Sequence, residues 1–421
     1  MSLKQKSGYK LTEVGFIPED WEVRCLGELA IVRDGTHQTP KYQSSGVPFY
    51  SVEHVTSGDF SNTKFISELE HQFLTRSFKI ERGDILMTRI GSIGECKLID
   101  WDVRASFYVS LALLKVKGAS AAYIAQYSQF SAFKKEIELH SLQHATPKKI
   151  NLGPISHIKV SLPPKITEQQ AIVDVLSDVD ALLVTLDKLV VKKRDILKSS
   201  MQQLLTGQRR MPGFCGEWKV KRLGDHLNFL NNGTNSRAEL STNGEVRYLH
   251  YGDIHGSQHL LLNPKKTSMP SLPHEKAKRL DRLENGDLVF ADASEDLDGI
   301  GKAVEIQCLE DVELVAGLHT IALRFDQKVM VDGFKAYLQF IPTFRAHLRQ
   351  LAAGTKVYAT NRAHIASAKI KIPEIEEQAA ISALLFDMDT ELTALEARRE
   401  KIHQLKQGMM QVLLTGNIRV S

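Results

Sequence analysis

Cysteine is scarce in this sequence, and its absence from any motif narrows the chemistry. Only four occur among 421 residues, Cys25, Cys96, Cys215 and Cys308, with no CxxC pair to suggest a zinc or redox site. No run approaches the roughly 18 apolar residues that a membrane helix needs, and the start, MSLKQKSGYK, has no apolar export core. A soluble, cytoplasmic protein in reducing surroundings is expected. Walker P-loop, HExxH, GxSxG and GxGxxG patterns are all missing. So is an Asn-Pro-Pro-Tyr motif of adenine methylation, the one Pro-Pro pair being Pro163-Pro164. Catalytic residues, cofactor and metal are therefore expected to be none. The net charge of +4 is too small to identify a polyanion partner by itself, although local clustering can still create a basic face.

The chain does contain a long repeat. Pro164 to Gly207 aligns without a gap on Pro373 to Gly416, with Glu168/Glu377, Gln169/Gln378, Ile172/Ile381, Asp178/Asp387, Leu186/Leu395 and a closing Leu-Leu-Thr-Gly in common. Each copy has proline at its entrance, glycine at its exit and no proline between, which predicts one long helix of about 39 residues and about 58 Å. Thr167 and Gln170 fit a capping box for the first. Its apolar residues recur every seven positions in a wide seam; the second copy has Glu391 and Arg398 where the first has leucines, so its seam is narrower. Such stripes are not buried alone. They pack either as surface helices of two duplicated domains or on each other as a coiled coil, and the second reading is favoured.

The remainder is duplicated too. Trp21 answers to Trp218 and Gly27 to Gly224. Each half then has a Gly-Thr pair, Gly35-Thr36 and Gly233-Thr234, in an exposed loop, followed by β-rich stretches, Val47 to Val55 and Val246 to Ile254. Gly83-Asp84 and Gly286-Asp287 open buried strands, after which the halves diverge: Thr88-Arg89-Ile90-Gly91-Ser92 against Ala291-Asp292-Ala293-Ser294-Glu295-Asp296. Shared strands with unlike loops suggest one scaffold carrying two specificities. Helical pieces (Ala121 to Leu139; Phe334 to Leu351) lead to basic or polar tracts, Thr146 to Asn151 and Gly354 to Arg362, just before each long helix. Two stretches imitate metal sites: Ser294 to Glu305 resembles an EF-hand loop, and His250, His255 and His259 lie near Asp253. Flanking strands and irregular spacing favour an acidic loop and structural histidines instead.

Taken together, the IPxxW entry at Ile17 to Trp21, GDILMTRIGSIG from Gly83, GDLVFADASEDLDGIGKAVEI from Gly286, Gly317-Leu318-His319-Thr320, and the two Glu-Gln to LLTG helices resemble the specificity subunit of type I restriction-modification systems. The resemblance covers the whole chain. It implies an α+β fold: two mixed target-recognition domains, residues 1–163 and 210–372, separated by conserved helices, residues 164–209 and 373–421, paired as an antiparallel coiled coil with a pseudo-twofold repeat. It also implies a non-catalytic subunit that binds double-stranded DNA at a bipartite sequence, docks two methyltransferase subunits and works beside a translocating nuclease. Gly408 predicts a bend late in the second helix. Arg89, Ser92 and Lys97, with Ser294, Glu295 and Asp296, are candidate base readers. Lys148, Lys149, Lys356 and Arg362 are candidate phosphate contacts, and Thr36, Thr234 and Tyr358 complete the expected DNA-binding set. The competing classes are an enzyme with an unfamiliar active site, which turnover by the pure chain would reveal, and a coiled-coil adaptor without sequence preference for DNA.

Overall fold

A glycine-aspartate turn opens an interior strand of each central sheet. In the computed structural model, which describes residues 7–142, 144–297, 299–352 and 358–420, Gly83 and Gly286 take left-handed φ values of 93° and 86°, a conformation glycine adopts without steric cost. The following aspartates turn back to accept from the backbone N–H of Glu81 (2.8 Å) and Glu284 (2.7 Å). Each also pairs with a cation from the neighbouring strand: Asp84 with Lys115 at 2.8 Å, and Asp287 with Arg324 at 2.7 Å. The strands that leave these turns, Ile85–Thr88 and Leu288–Ala291, are buried at every position. A strand covered on both faces has no solvent side to make polar, hence the unbroken apolar reading.

The chain divides into two compact units, Met1–Asp187 with Ala397–Ser421, and Lys188–Glu396. Unit 1 holds an antiparallel sheet in the order Ala30–Asp34, Leu111–Val116, Ile85–Thr88, Cys96–Leu98. A second sheet pairs Val47–Tyr50 with Lys64–Ile66 and, in parallel, with Ser106–Phe107. Unit 2 repeats the plan: Leu227–Phe229, Thr320–Phe325, Leu288–Ala291, Ala303–Ile306 and Leu261–Leu262 form one sheet. Val246–Leu249 lies between Ser271–Leu272 and a parallel Leu314–Ala316 in the other. Ile85 and Met87 face a core with Tyr123, Phe133, Ile172 and Met410, whereas Leu86 packs with Tyr50 and Ile99 on the opposite side.

The two long helices are Ile166–Leu204 and Ile375–Leu413. Within unit 1, Asp180 pairs with Lys406 at 2.5 Å and Asp187 with Arg399, one heptad on along the first helix and one heptad back along the second, so the strands of this coil run antiparallel. Within unit 2, Lys193 pairs with Glu391 at 2.7 Å; the polar residue that narrows the second seam is thereby matched. The helix runs through Gly408 without interruption.

Each helix start is clasped by the tail of the other. Arg210, three residues beyond the Gly207 cap, binds the Glu377 carboxylate in bidentate fashion (2.8 and 2.6 Å), and Trp218 Nε1 donates to the same group at 3.0 Å. In unit 1 the matching Arg419 grips Glu168 (2.7 Å) and Asp20 (2.9 and 3.0 Å) beside the Trp21 ring. Gln169 and Gln378, the other half of the repeated Glu-Gln pair, donate to the Pro163 and Pro373 carbonyls at 2.8 and 3.0 Å.

Several local expectations are corrected. The first helix already includes Ile166, so Thr167 lies inside it and forms no capping box, and Gln170 bonds Asp174 instead. The stretches from Val47 and Val246 stop as strands at Tyr50 and Leu249 and turn into short helices, Val52–Ser57 and Tyr251–Gly256. Ser51 and His250 start these helices by pairing with the residue three positions on, the Ser51 N–H donating to His54 Nδ1 at 2.9 Å and the His250 N–H to Asp253 at 3.0 Å. The helical pieces are likewise split: Ala121–Tyr127 and Ser131–His140 in unit 1, a 3-10 turn Lys335–Phe340 and Pro342–Leu351 in unit 2.

Candidate nucleic-acid interface

One end of each central sheet gathers the loops that the sequence singles out. In unit 1 the residue following the central strand, Arg89, donates its N–H to the Ser110 carbonyl at 2.9 Å and accepts from the Ile150 N–H at 2.9 Å. In unit 2 Asp292 repeats both bonds, to the His319 carbonyl at 3.1 Å and from the Thr360 N–H at 2.8 Å. Asn151 and Asn361 then precede the short helices Leu152–Ile155 and Arg362–Ser367. The same backbone frame therefore presents different side chains in the two units.

The Gly-Thr pairs join these faces through close approach. A Cβ on Gly35 would lie 2.1 Å from the Phe107 carbonyl oxygen, and Thr36 donates its N–H to that oxygen while bridging Tyr108. In unit 2 both Gly233 and Gly317 lie against the Tyr248 ring, where a Cβ would come within 2.5 and 2.3 Å. The Tyr248 hydroxyl donates to the Asn235 carbonyl (3.1 Å) and accepts from the Leu318 N–H (2.8 Å), tying the two loops together.

Unit 1 assembles three of its candidates beside Arg89. Ile90 bridges Lys149, and Gly91 donates its N–H to the Lys148 carbonyl at 2.8 Å, which places the exposed Ser92 beside the basic tract. Arg89 itself is buried, its guanidinium donating to Asp34 Oδ2 at 3.2 Å and to the Ile150 carbonyl at 3.3 Å. Its geometry is that of a brace, not of an open fork for a base. Asp34 Oδ2 is also shared with the exposed His37 at 2.8 Å. Lys148 is paired with Glu138 at 2.8 Å, whereas Lys149 has no ion pair among the described residues. Lys97 stands apart, on the strand paired with Leu86 and 6.0 Å from the Trp101 ring.

In unit 2, Ser294 pairs directly with Tyr358 in a short antiparallel ladder. Ser294 is buried, Glu295 and Asp296 are exposed, and Asp296 accepts from the Gly299 N–H at 2.6 Å. Arg362 reaches the Leu230 carbonyl at 2.7 Å and Asn232 Oδ1 at 3.2 Å, beside Gly233 and the exposed Thr234. Lys356 and its neighbours Gly354, Thr355 and Val357 lie outside the described residues. Glu305, the last position of the EF-hand-like stretch, is fully buried in its strand and accepts from the N–H of Gly333 (2.5 Å) and Ala336 (2.9 Å), so it faces the fold and not that loop. Burial pushes its carboxyl up to about 7. His250 accepts from the Gly252 N–H at 3.3 Å, and His255 contacts the Ala293 carbonyl at 2.8 Å. No group of three metal-ligating side chains occurs among the described residues.

Sequence reasoning passed over Tyr248, Arg210, Arg419 and the pair Asp292 and His319. The arginines were within reach, because the helix repeat continues in register three residues past its closing glycines. Asp292 and His319 come together only through strand pairing: His319 Nδ1 lies 3.2 Å from Asp292 Oδ1. Burial raises the Asp292 carboxyl, against the attraction of His319.

The model of the type I restriction modification DNA specificity domain matches this sequence twice, over residues 18–193 and 216–407. Among curated proteins, the putative type I restriction enzyme MjaX specificity subunit of Methanocaldococcus jannaschii is 25% identical over 444 aligned residues, covering 99% of this chain and 98% of that protein. The type I restriction enzyme MjaVIII specificity subunit of the same organism is 25% identical over 426, covering 96% and 94%. Among solved structures, a type I restriction-modification system S subunit from M. genitalium superposes with a TM-score of 0.59 at 14% identity, covering 96% of this chain and 97% of that one. A chain from a structure describing assembly and conformational transition of the type I R-M system gives 0.55 at 14% identity, covering 96% and 99%. At that identity the likeness is one of fold.

Proposed function

We propose that this chain, which belongs to the type I restriction modification DNA specificity family, is the subunit that selects the DNA sequence on which a separate methyltransferase acts. Each unit reads one half of a bipartite target in double-stranded DNA, and the length of the paired helices sets the unread gap between the halves. One observation carries the reading: the backbone bonds made by Arg89 recur at Asp292, while the side chains on the two faces differ. A common frame with unlike side chains is what two half-sites of different sequence require, since phosphate contacts position a protein and base contacts specify.

The long helices supply the docking surface for methyltransferase subunits. Val184 and Val191, one heptad apart on the first helix, are 52 and 56% exposed, and large exposed apolar side chains on one helical face favour a protein partner over water. The chain brings recognition and not chemistry to the complex. No described helix is long and apolar enough to cross a membrane.

Exchange of residues 27–162 for the corresponding domain of a relative tests the modular reading. Methylome sequencing of cells carrying the exchanged subunit with its methyltransferase is expected to return one changed half-site and one unchanged. A change in both, or in neither, contradicts one domain reading one half. Lys149 gives a finer check: Lys149→Ala is expected to weaken binding to every sequence alike and to shallow the dependence of log K on log salt by about one unit. Unlike Lys148, it need not first give up an internal carboxylate, so its effect should be the larger of the two. An altered base preference with an unchanged salt slope would reassign it as a base reader.

A further inference from the structure

Asp292 and His319 occupy a point where the two faces differ in charge. The equivalent residues in unit 1, matched by their backbone bonds, are a buried arginine and a serine, Arg89 and Ser110. In unit 2 they are a carboxylate and an imidazole whose side chains remain 30% and 52% exposed. A carboxylate held near a polyanion weakens association unless it meets a hydrogen-bond donor there, and in DNA the donors on the major-groove edges are exocyclic amino groups.

The pair is also held in place from several sides. His319 adopts a left-handed φ of 56°, which few residues other than glycine take up. Its carbonyl accepts from the Asp292 N–H, and the Tyr251 ring stands edge-on to its imidazole at 5.5 Å. Tyr251 in turn donates its N–H to the Leu318 carbonyl and packs against His250. An ionised carboxylate has no proton to give, so the 3.2 Å contact with Asp292 Oδ1 places the neutral ring's hydrogen on Nδ1. Nε2 and the second carboxylate oxygen are then both acceptors.

We propose that Asp292 and His319 together read one base of the half-site taken by unit 2, accepting from the exocyclic amino group of cytosine or adenine. This deepens, and rests on, the reading of the chain as a DNA specificity subunit. Guanine and thymine on the same strand present carbonyl oxygens at that edge, which would face two further acceptors and leave the carboxylate without a partner. Selection is therefore for amino over keto at one position, and Tyr251 acts as a positioning residue behind it.

The test uses the full chain assembled with its own methyltransferase. The target is first read from the methylome, and competition binding is then measured on duplexes carrying each base in turn at every half-site position. In the wild type, one position in the unit 2 half-site should prefer cytosine and adenine over guanine and thymine by roughly five- to 150-fold. Asp292→Asn, nearly the same shape but carrying a donor, should remove that preference at the same position and leave the other positions unchanged. His319→Gln should relax the same position, which guards against a folding defect in the first variant. Uniform weakening on all duplexes in both variants, or an undiminished amino preference in both, overturns the proposal. A wild-type complex with no sequence preference would instead overturn the specificity-subunit reading on which it stands.

Discussion

Replacing Arg210 by alanine is expected to lower the melting temperature of unit 2 by roughly 5–10 °C, more than any surface substitution of similar size. Glu377 lies 1% exposed, and its carboxylate is satisfied by two Arg210 donors, the Trp218 indole N–H and the Met211 N–H. Removing the guanidinium leaves a buried charge with its desolvation cost and without its counter-charge, the case in which loss of one partner is most damaging. Burial pushes the Glu377 carboxyl up, but the Arg210 and Trp218 hydrogen bonds outweigh it and hold the group below its ordinary value of 4.5. A depressed carboxyl stabilises the fold above the unfolded-state value, and that stability is lost as pH falls through the folded one. The gap between wild type and variant should thus be widest near pH 7 and narrow as acidification protonates Glu377, first in the variant, where burial acts without the guanidinium, and then in the wild type. Calorimetry across that range measures it. A gap that stayed constant with pH would mean that Arg210 acts by packing on the Trp218 ring, 5.7 Å away, and not through Glu377.

Much of this joint can be read from the sequence, and the reason lies in its duplication. Two occurrences of Glu-Gln at a helix entrance and of Leu-Leu-Thr-Gly at its exit point to a shared structural task even before the task is known. The task emerges with the pairing of the helices: Glu168 meets Arg419 and Glu377 meets Arg210, residues more than 160 positions apart in sequence. The terminating role of Gly207 and Gly416 follows from local geometry alone, both having positive φ, 71° and 67°. Helix length is likewise a matter of local pattern, and 39 residues are helical in each case. The ends of shorter elements are less accessible. Val52 to Ser57 is rich in the β-branched residues expected of a strand, but the capping contact between Ser51 and His54 rewards a helical turn instead.

The two faces were legible as loops and not as contacts. Ser92, Lys148 and Lys149 converge because Ile90 bridges Lys149 and Gly91 donates its N–H to the Lys148 carbonyl, pairings between segments that composition cannot connect. Arg89 shows the limit most clearly. A lone arginine in a divergent loop suggests a base reader, yet Asp34, 55 residues away, captures its guanidinium and turns it inward. Asp292 shows the converse, an acidic residue that looks unsuited to DNA until strand pairing sets it beside His319.

Gly35→Ala should be the most disruptive of three glycine substitutions in unit 1, at a cost of about 3 kcal/mol. The added Cβ would sit 2.1 Å from the Phe107 oxygen and 2.7 Å from the Phe107 and Tyr108 carbonyl carbons. All three are main-chain atoms, so no side chain can rotate aside and the segments must part. Parting them breaks the bonds from the Thr36 N–H to Phe107 (3.2 Å) and from the Val109 N–H to Thr36 (3.0 Å), which hold the Gly-Thr loop to the sheet. Two other glycines in the same unit separate this steric effect from the general cost of substitution. Gly58 has open space around it but a φ of 73°, so alanine there should cost about 1 kcal/mol through conformation alone. Gly153 has open space and no left-handed φ, and alanine there should change stability by no more than about 0.5 kcal/mol. Denaturant unfolding of the three variants should rank them Gly35, Gly58, Gly153. The functional readout should follow the same order in only one place: the half-site read by unit 1 is lost in Gly35→Ala while the other half is still recognised. Equal stability of Gly35→Ala and Gly153→Ala would show that the close approach at Phe107 does not constrain the folded chain, and with it the claim that this glycine builds the face would fall.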